Sequence, residues 1–208
     1  MNRYNPDIHH RRSIRLKNYD YSREGAYFLT LCTFDRGCHF ERFAQLRQIV
    51  ETQWHSLPER FPGVVLNEFV IMPNHFHGII VLCRDNPCGY PESGSGSAHL
   101  QSGSLQNPTP AETGHPQGAP LRGPTVGDVV GAFKSLCVNA WLKVIRSEGT
   151  NATGKFWQNN YYEHVIRDQG EMDRIRRYIA ENPLRWEFDR ENPGFSKKQG
   201  QQDERWMV

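Results

Sequence analysis

The sequence predicts an α+β fold on the ferredoxin-like, split βαβ plan, an antiparallel four-stranded sheet with helices packed on it. Three observations lead there. β-rich runs and runs of helical spacing alternate in the order β-α-β-β-α-β-α. The second and third strands are separated only by Pro73-Asn74, which reads as a tight hairpin turn because proline cannot donate to a ladder. A segment rich in Gly, Pro and Ser, Arg84 to Pro124, splits the pattern into two flanks, and neither offers a complete sheet alone.

Each element has its own signal. Tyr27 to Phe34 is dense in β-formers and reads as the first strand. From Glu41 to Leu57, Leu46, Ile49, Val50, Trp54 and Leu57 recur at helical spacing. Val64 to Met72 is the second strand, and His75 to Leu82 is the third, paired with it. Beyond the insertion, Val126, Val129, Val130, Phe133, Leu136, Cys137, Ala140, Trp141 and Val144 step by three and four as one amphipathic helix. Tyr161 to Arg167 is the fourth strand. Glu171 to Glu181 is a helix whose Met172, Ile175 and Ile179 form the buried stripe, and Asn182-Pro183 reads as its stop.

The implied organisation is a basic arm (residues 1–24), a single domain (25–190) interrupted by a flexible insertion (84–124), and a tail (191–208). A chain of 208 residues with 37% hydrophobic and 23% charged residues can build a real core, which excludes wholesale disorder. Lys+Arg 25 against Asp+Glu 23 excludes a globally basic binder but leaves room for a basic face. No apolar run has membrane-span length, and residues 1–20 carry no apolar signal core. The five cysteines form no CxxC pair, and reduced thiols in a cytoplasmic protein are expected, Cys83 and Cys88 included, although Cys83-x4-Cys88 also fits half of a zinc site.

The sharpest local feature is Met72-Pro-Asn-His-Phe-His77. Strand side chains alternate, so His75 and His77 share one face and can ligate one metal ion. An HxH pair also arises by chance, so the pair alone does not establish a metal site. The second feature is Arg174-Ile-Arg-Arg-Tyr-Ile-Ala-Glu-Asn-Pro183, which sets Tyr178 and Asn182 one helical turn apart with Arg174 and Arg177 nearby. The bland alternative for that tyrosine is a boundary residue. Phe156-Trp157 can stack a base but fits core packing better, and His164 fits a structural role better than a supporting one in the site.

Taken together, MPNHFH, the GAFKS of Gly131 to Ser135, the FWQxxYYEHVIRD of Phe156 to Asp168 and the RYIxENP that ends at Pro183 resemble the REP-associated tyrosine transposases. These belong to the HUH single-strand endonucleases and are related to the single-tyrosine transposases of small bacterial insertion sequences. The resemblance covers about residues 12–83 and 122–190. It implies His75, His77 and Asn182 as ligands of a divalent metal and Tyr178 as the nucleophile. Mixed N/O ligands suit Mg²⁺ or Mn²⁺, though bare affinity favours Zn²⁺.

The activity implied is cleavage and strand transfer of single-stranded DNA at palindromic hairpin repeats, through a 5′-phosphotyrosyl link. Candidate phosphate contacts are Lys134, Lys143 and Arg146 on the long helix, Arg174 and Arg177 beside Tyr178, and Arg11, Arg12, Arg15 and Lys17 in the N-terminal arm. The bland reading of each is a solvated charge. One tyrosine per chain is compatible with a monomer and with a homodimer. Two rival readings are a catalytically inactive nucleic-acid-binding module of the same fold and a metal-dependent phosphodiesterase using water. A zinc peptidase is disfavoured, since HExxH is absent.

Overall fold

The computed structural model describes residues 16, 19–83, 123–149, 151–189 and 192–194. Arg11, Arg12, Arg15 and Lys17 of the basic arm, nearly all of the expected insertion, and most of the tail lie outside the described residues.

The elements follow the expected order. Strand β1 is Gly25–Cys32, β2 is Val64–Ile71, β3 is His75–Leu82 and β4 is Tyr162–Ile166. Helices α1 (His39–Arg42), α2 (Ala44–His55) and α3 (Leu57–Arg60) join β1 to β2. Helix α4 (Val126–Glu148) precedes β4, and α5 (Gln169–Glu181) follows it. The sheet runs β2-β3-β1-β4, with every neighbouring pair antiparallel. That strand order is the split βαβ plan: β3 lies between β1 and β2, and β1 between β3 and β4. Residues on either side of the expected insertion thus meet in one sheet.

The single helix expected over 41–57 is three pieces. Phe43 takes an extended conformation (φ −125°, ψ 94°) between α1 and α2, and Pro58, lacking an N–H, stands in the first turn of α3. At the other end of the chain, the α-helix ends at Glu181, as expected from Asn182-Pro183, but the chain keeps turning. Asn182 keeps helical angles (φ −55°, ψ −43°), and a 3₁₀ turn continues from Asn182 to Phe188 with Pro183 in its first turn, where a missing N–H does no harm.

The two faces of the sheet carry different partners. On one, Tyr27, Leu29, Leu31, Phe76 and Ile80 meet α2 and α4 through Leu46, Val50, Trp54, Val130, Phe133 and Trp141. On the other, Ala26, Phe28, Ile79, Val81 and Ile166 meet α5 through Met172, Ile175 and Ile179. A register shift between Leu66 and Phe69 bulges β2, so that Val64, Leu66 and Phe69 share the first face while Val65 and Val70 share the second. The Arg176 guanidinium of α5 donates to Asn67 at this bulge (2.9 Å). Phe156 and Trp157 are buried in the first core, as expected. The expectation of reduced thiols fails at Cys83, which is disulfide-bonded, whereas it holds for Cys32, Cys38 and Cys137, which form no disulfide. Spacing alone cannot show whether two sulfurs approach within bonding distance.

Candidate metal and nucleophile site

Strand alternation splits the MPNHFH motif between the two faces. Phe76 enters the core beneath α2 and α4, ringed by Trp54, Phe69 and Phe133. His75 and His77 point to the α5 side, at 0% and 3% exposure, with ring centroids 4.6 Å apart. In register, His77 faces Thr30 of β1, and His75 faces Cys32.

Hydrogen bonds decide which nitrogen of His75 carries a proton. The Asn74 amide nitrogen donates to the Arg36 carbonyl (3.0 Å), so its oxygen is left to accept from His75 Nδ1–H (2.9 Å). His75 Nε2 therefore bears the lone pair, and it is buried without a hydrogen-bond partner. His77 Nδ1 lies 2.8 Å from the Thr30 hydroxyl, and a hydrogen bond to the Leu29 backbone favours the protonated ring without outweighing burial. Burial pushes the His75 basicity down to about 4, and the charge of Arg36 adds to the effect. Burial, and then the neighbouring His75, holds His77 well below the ordinary histidine range. Two neutral imidazoles side by side can ligate a cation but offer no charge to an anion.

Helix α5 brings the remaining groups. Asp168 caps its first turn by accepting from the Glu171 N–H (2.8 Å), and Glu171 reaches back to the Arg167 N–H and to His164 Nε2, both at 2.7 Å. His164 thus ties β4 to α5, the structural role expected of it. Two turns on, the Tyr178 hydroxyl stands 3.3 Å from His77 Nε2 in the same chain, and its ring packs edge-on against His77 and Phe28. Asn182, one turn further, is 3% exposed, and its side-chain oxygen is buried without a partner. The 3₁₀ turn then passes His75: the Trp186 ring lies 6.0 Å from it, and Asp189 Oδ2 is 3.7 Å from His75 Nε2.

The residues fit a divalent ion. Two orphaned buried atoms, His75 Nε2 and Asn182 Oδ1, are a nitrogen and an oxygen that can only accept. Among the described residues, no three His, Cys, Asp or Glu side chains form a group that could hold a metal ion.

The candidate phosphate contacts divide by face. Arg174 and Arg177 are exposed on α5, the helix of Tyr178. Lys143 and Arg146 are exposed on α4, which packs on the opposite face of the sheet. Lys134 is half-buried and donates to the Gln158 and Asn159 carbonyls, bracing the segment before β4. Sequence reasoning missed Arg36, Thr30 and Asp189. Arg36 carries a signal only in three dimensions: it and Asp35 hold left-handed backbone angles (φ 54° and 52°) in the turn that Asn74 clips to His75.

The chain is 38% identical over 196 residues to an uncharacterized protein of Haemophilus influenzae (strain ATCC 51907 / DSM 11121 / KW20 / Rd), which covers 90% of this chain and 96% of the relative. No family model matches. Among solved structures, the chain is similar to one described as a REP-associated tyrosine transposase bound to a REP hairpin, with 16% identity, a TM-score of 0.48, and coverage of 82% of this chain and 73% of that one. It is also similar to a putative transposase of Deinococcus radiodurans R1, with 15% identity, a TM-score of 0.38, and coverage of 80% of this chain and 95% of that one. Among the described residues, no helix is long and apolar enough to cross a membrane.

Proposed function

This chain belongs to one family with the Haemophilus influenzae protein, and we propose that it is a metal-dependent transposase-type nickase and strand transferase acting on single-stranded DNA. The observation that carries the reading is the placement of the Tyr178 hydroxyl 3.3 Å from His77 Nε2, beside a buried His75 Nε2 and Asn182 oxygen that lack partners. His75, His77 and Asn182 would hold the ion. When bound, Mg²⁺ or Mn²⁺ supplies neutralising charge at a non-bridging phosphate oxygen.

The chain's own residues do the rest. Burial keeps both imidazoles neutral, and Asn74 and Thr30 hold them in orientation. Tyr178 Oη forms the bond to phosphorus while the bond from phosphorus to the 3′ oxygen breaks. The phenol proton leaves to solvent, and the 3′ oxygen takes one up to become a hydroxyl. Because the phosphotyrosyl link conserves a phosphodiester-like bond, the 3′-OH of a second strand can attack it and restore Tyr178 without ATP. Arg174 and Arg177, exposed on α5, and Arg36 beside His75 would meet phosphates. The four motifs shared with REP-associated transposases point to palindromic hairpins as the substrate. All the proposed groups belong to one chain, so the reaction does not require a tyrosine from a partner.

Tyr178→Phe should bind a labelled single-stranded hairpin as the wild type does, yet form no SDS-stable adduct in Mn²⁺ or Mg²⁺. Nicking without any adduct in the wild type would favour hydrolysis by water. Binding without nicking would favour a non-catalytic module. An adduct that persists in Tyr178→Phe, while Tyr162→Phe abolishes it, would move the nucleophile to β4.

A further inference from the structure

Resting on the proposed metal centre, we infer that Asp189, just beyond the 3₁₀ turn that follows Asn182, supplies a carboxylate oxygen to the same divalent cation. Its Oδ2 faces His75 Nε2 at 3.7 Å, and Asp189 is 13% exposed against 0% for the histidine. Asn74 fixes the proton of His75 on Nδ1, so the two facing atoms are both lone-pair bearers. No hydrogen bond can join them, and 3.7 Å is too long for one in any case.

The spacing itself discriminates. A water bridging two acceptors at ~2.8 Å each, near its tetrahedral angle, sets them about 4.6 Å apart. Two ligands at ~2.1 Å from one ion sit roughly 3.0 Å apart at octahedral and 3.4 Å at tetrahedral angles. The observed distance lies nearer the ion's spacing than the water's. Among the described residues no three His, Cys, Asp or Glu side chains form a ready ligand group, so the proposed coordination requires His75 and Asp189 to close by about 0.3–0.7 Å. The 3₁₀ turn then acts as a strap: Asn182 at its start and Asp189 at its end grip one cation, with Trp186 between them against His75. A hard carboxylate oxygen shifts the donor set toward Mn²⁺ and Mg²⁺ and away from Zn²⁺.

The test is calorimetric titration of the full chain with Mn²⁺ alone, repeated with Zn²⁺, for wild type, Asp189→Ala, Asp189→Asn and His77→Ala. Asp189→Ala is expected to weaken Mn²⁺ at least tenfold and Zn²⁺ by a smaller factor, with the melting temperature in chelator unchanged. Asp189→Asn keeps the shape of the side chain and should weaken Mn²⁺ in the same direction. Mn²⁺ affinity that His77→Ala removes but both Asp189 variants retain would overturn the role of Asp189 and leave the metal centre standing. A wild type that binds neither ion would overturn both.

Discussion

A histidine inside a protein must either be paired or lose its charge, and His75 and His77 take the second course. Their folded basicity lies below the ordinary value of about 6.5, with His75 near 4. Between those limits the unfolded chain binds more protons than the folded one, so stability rises with pH there. In chelator it should be fully present above pH ~6.5 and fall as the pH drops toward 4, by up to about 3 kcal/mol for His75 alone. Melting curves from pH 7.5 to 4.5 for wild type and His75→Gln check this, because the variant should lose part of the slope. Asn74→Leu should cost more than its hydrogen bonds suggest. It releases both the Arg36 carbonyl and the His75 tautomer, so Mn²⁺ affinity should drop by ~10-fold, the usual penalty for losing a group that orients a ligand.

Strand β3 shows how one element serves two faces. Gly78 follows the second histidine because Trp54 and Phe76 fill the space above it: a Cβ there would sit 2.8 Å from the Trp54 ring and 2.7 Å from that of Phe76. Gly78→Ala should therefore destabilise the protein by roughly 1–3 kcal/mol through overpacking, lowering the midpoint of urea unfolding with the slope unchanged. The alternation of this strand was legible in the sequence, and so was its turn at Pro73-Asn74. The path of the chain after Tyr178 was not. Asn-Pro ends the α-helix, as local rules say, but proline then begins a tighter turn that carries Trp186 and Asp189 to His75. Local propensity marks the stop but not the path beyond it, because contacts with residues distant in sequence set that path.

Over the whole molecule, the sheet separates the cationic residues into two sets. Arg174 and Arg177 stand on the face of the proposed centre, while Lys143 and Arg146 stand behind it on α4. Removing Arg174 and Arg177 together should weaken single-stranded DNA binding and flatten its dependence on log salt by about 0.7 for each phosphate left without its cation. Removing Lys143 and Arg146 should change neither. Fluorescence anisotropy between 50 and 300 mM salt would resolve the two, and equal effects from both pairs would mean that DNA wraps the sheet edge to reach α4.

By itself the sequence determined the element order, the split βαβ topology, the face shared by the two histidines and the one-turn spacing of Tyr178 and Asn182, because periodicity and turn chemistry are local properties. Only the tertiary structure decided that Tyr178 of the same chain meets His77, that Asn74 and Thr30 orient the imidazoles, that Lys134 is engaged in bracing the chain, and that Asp189 comes within reach of His75. Those are contacts between segments as many as 114 residues apart, from His75 to Asp189. They arise from the packing of α5 and its continuation on the sheet, which no spacing along the chain encodes.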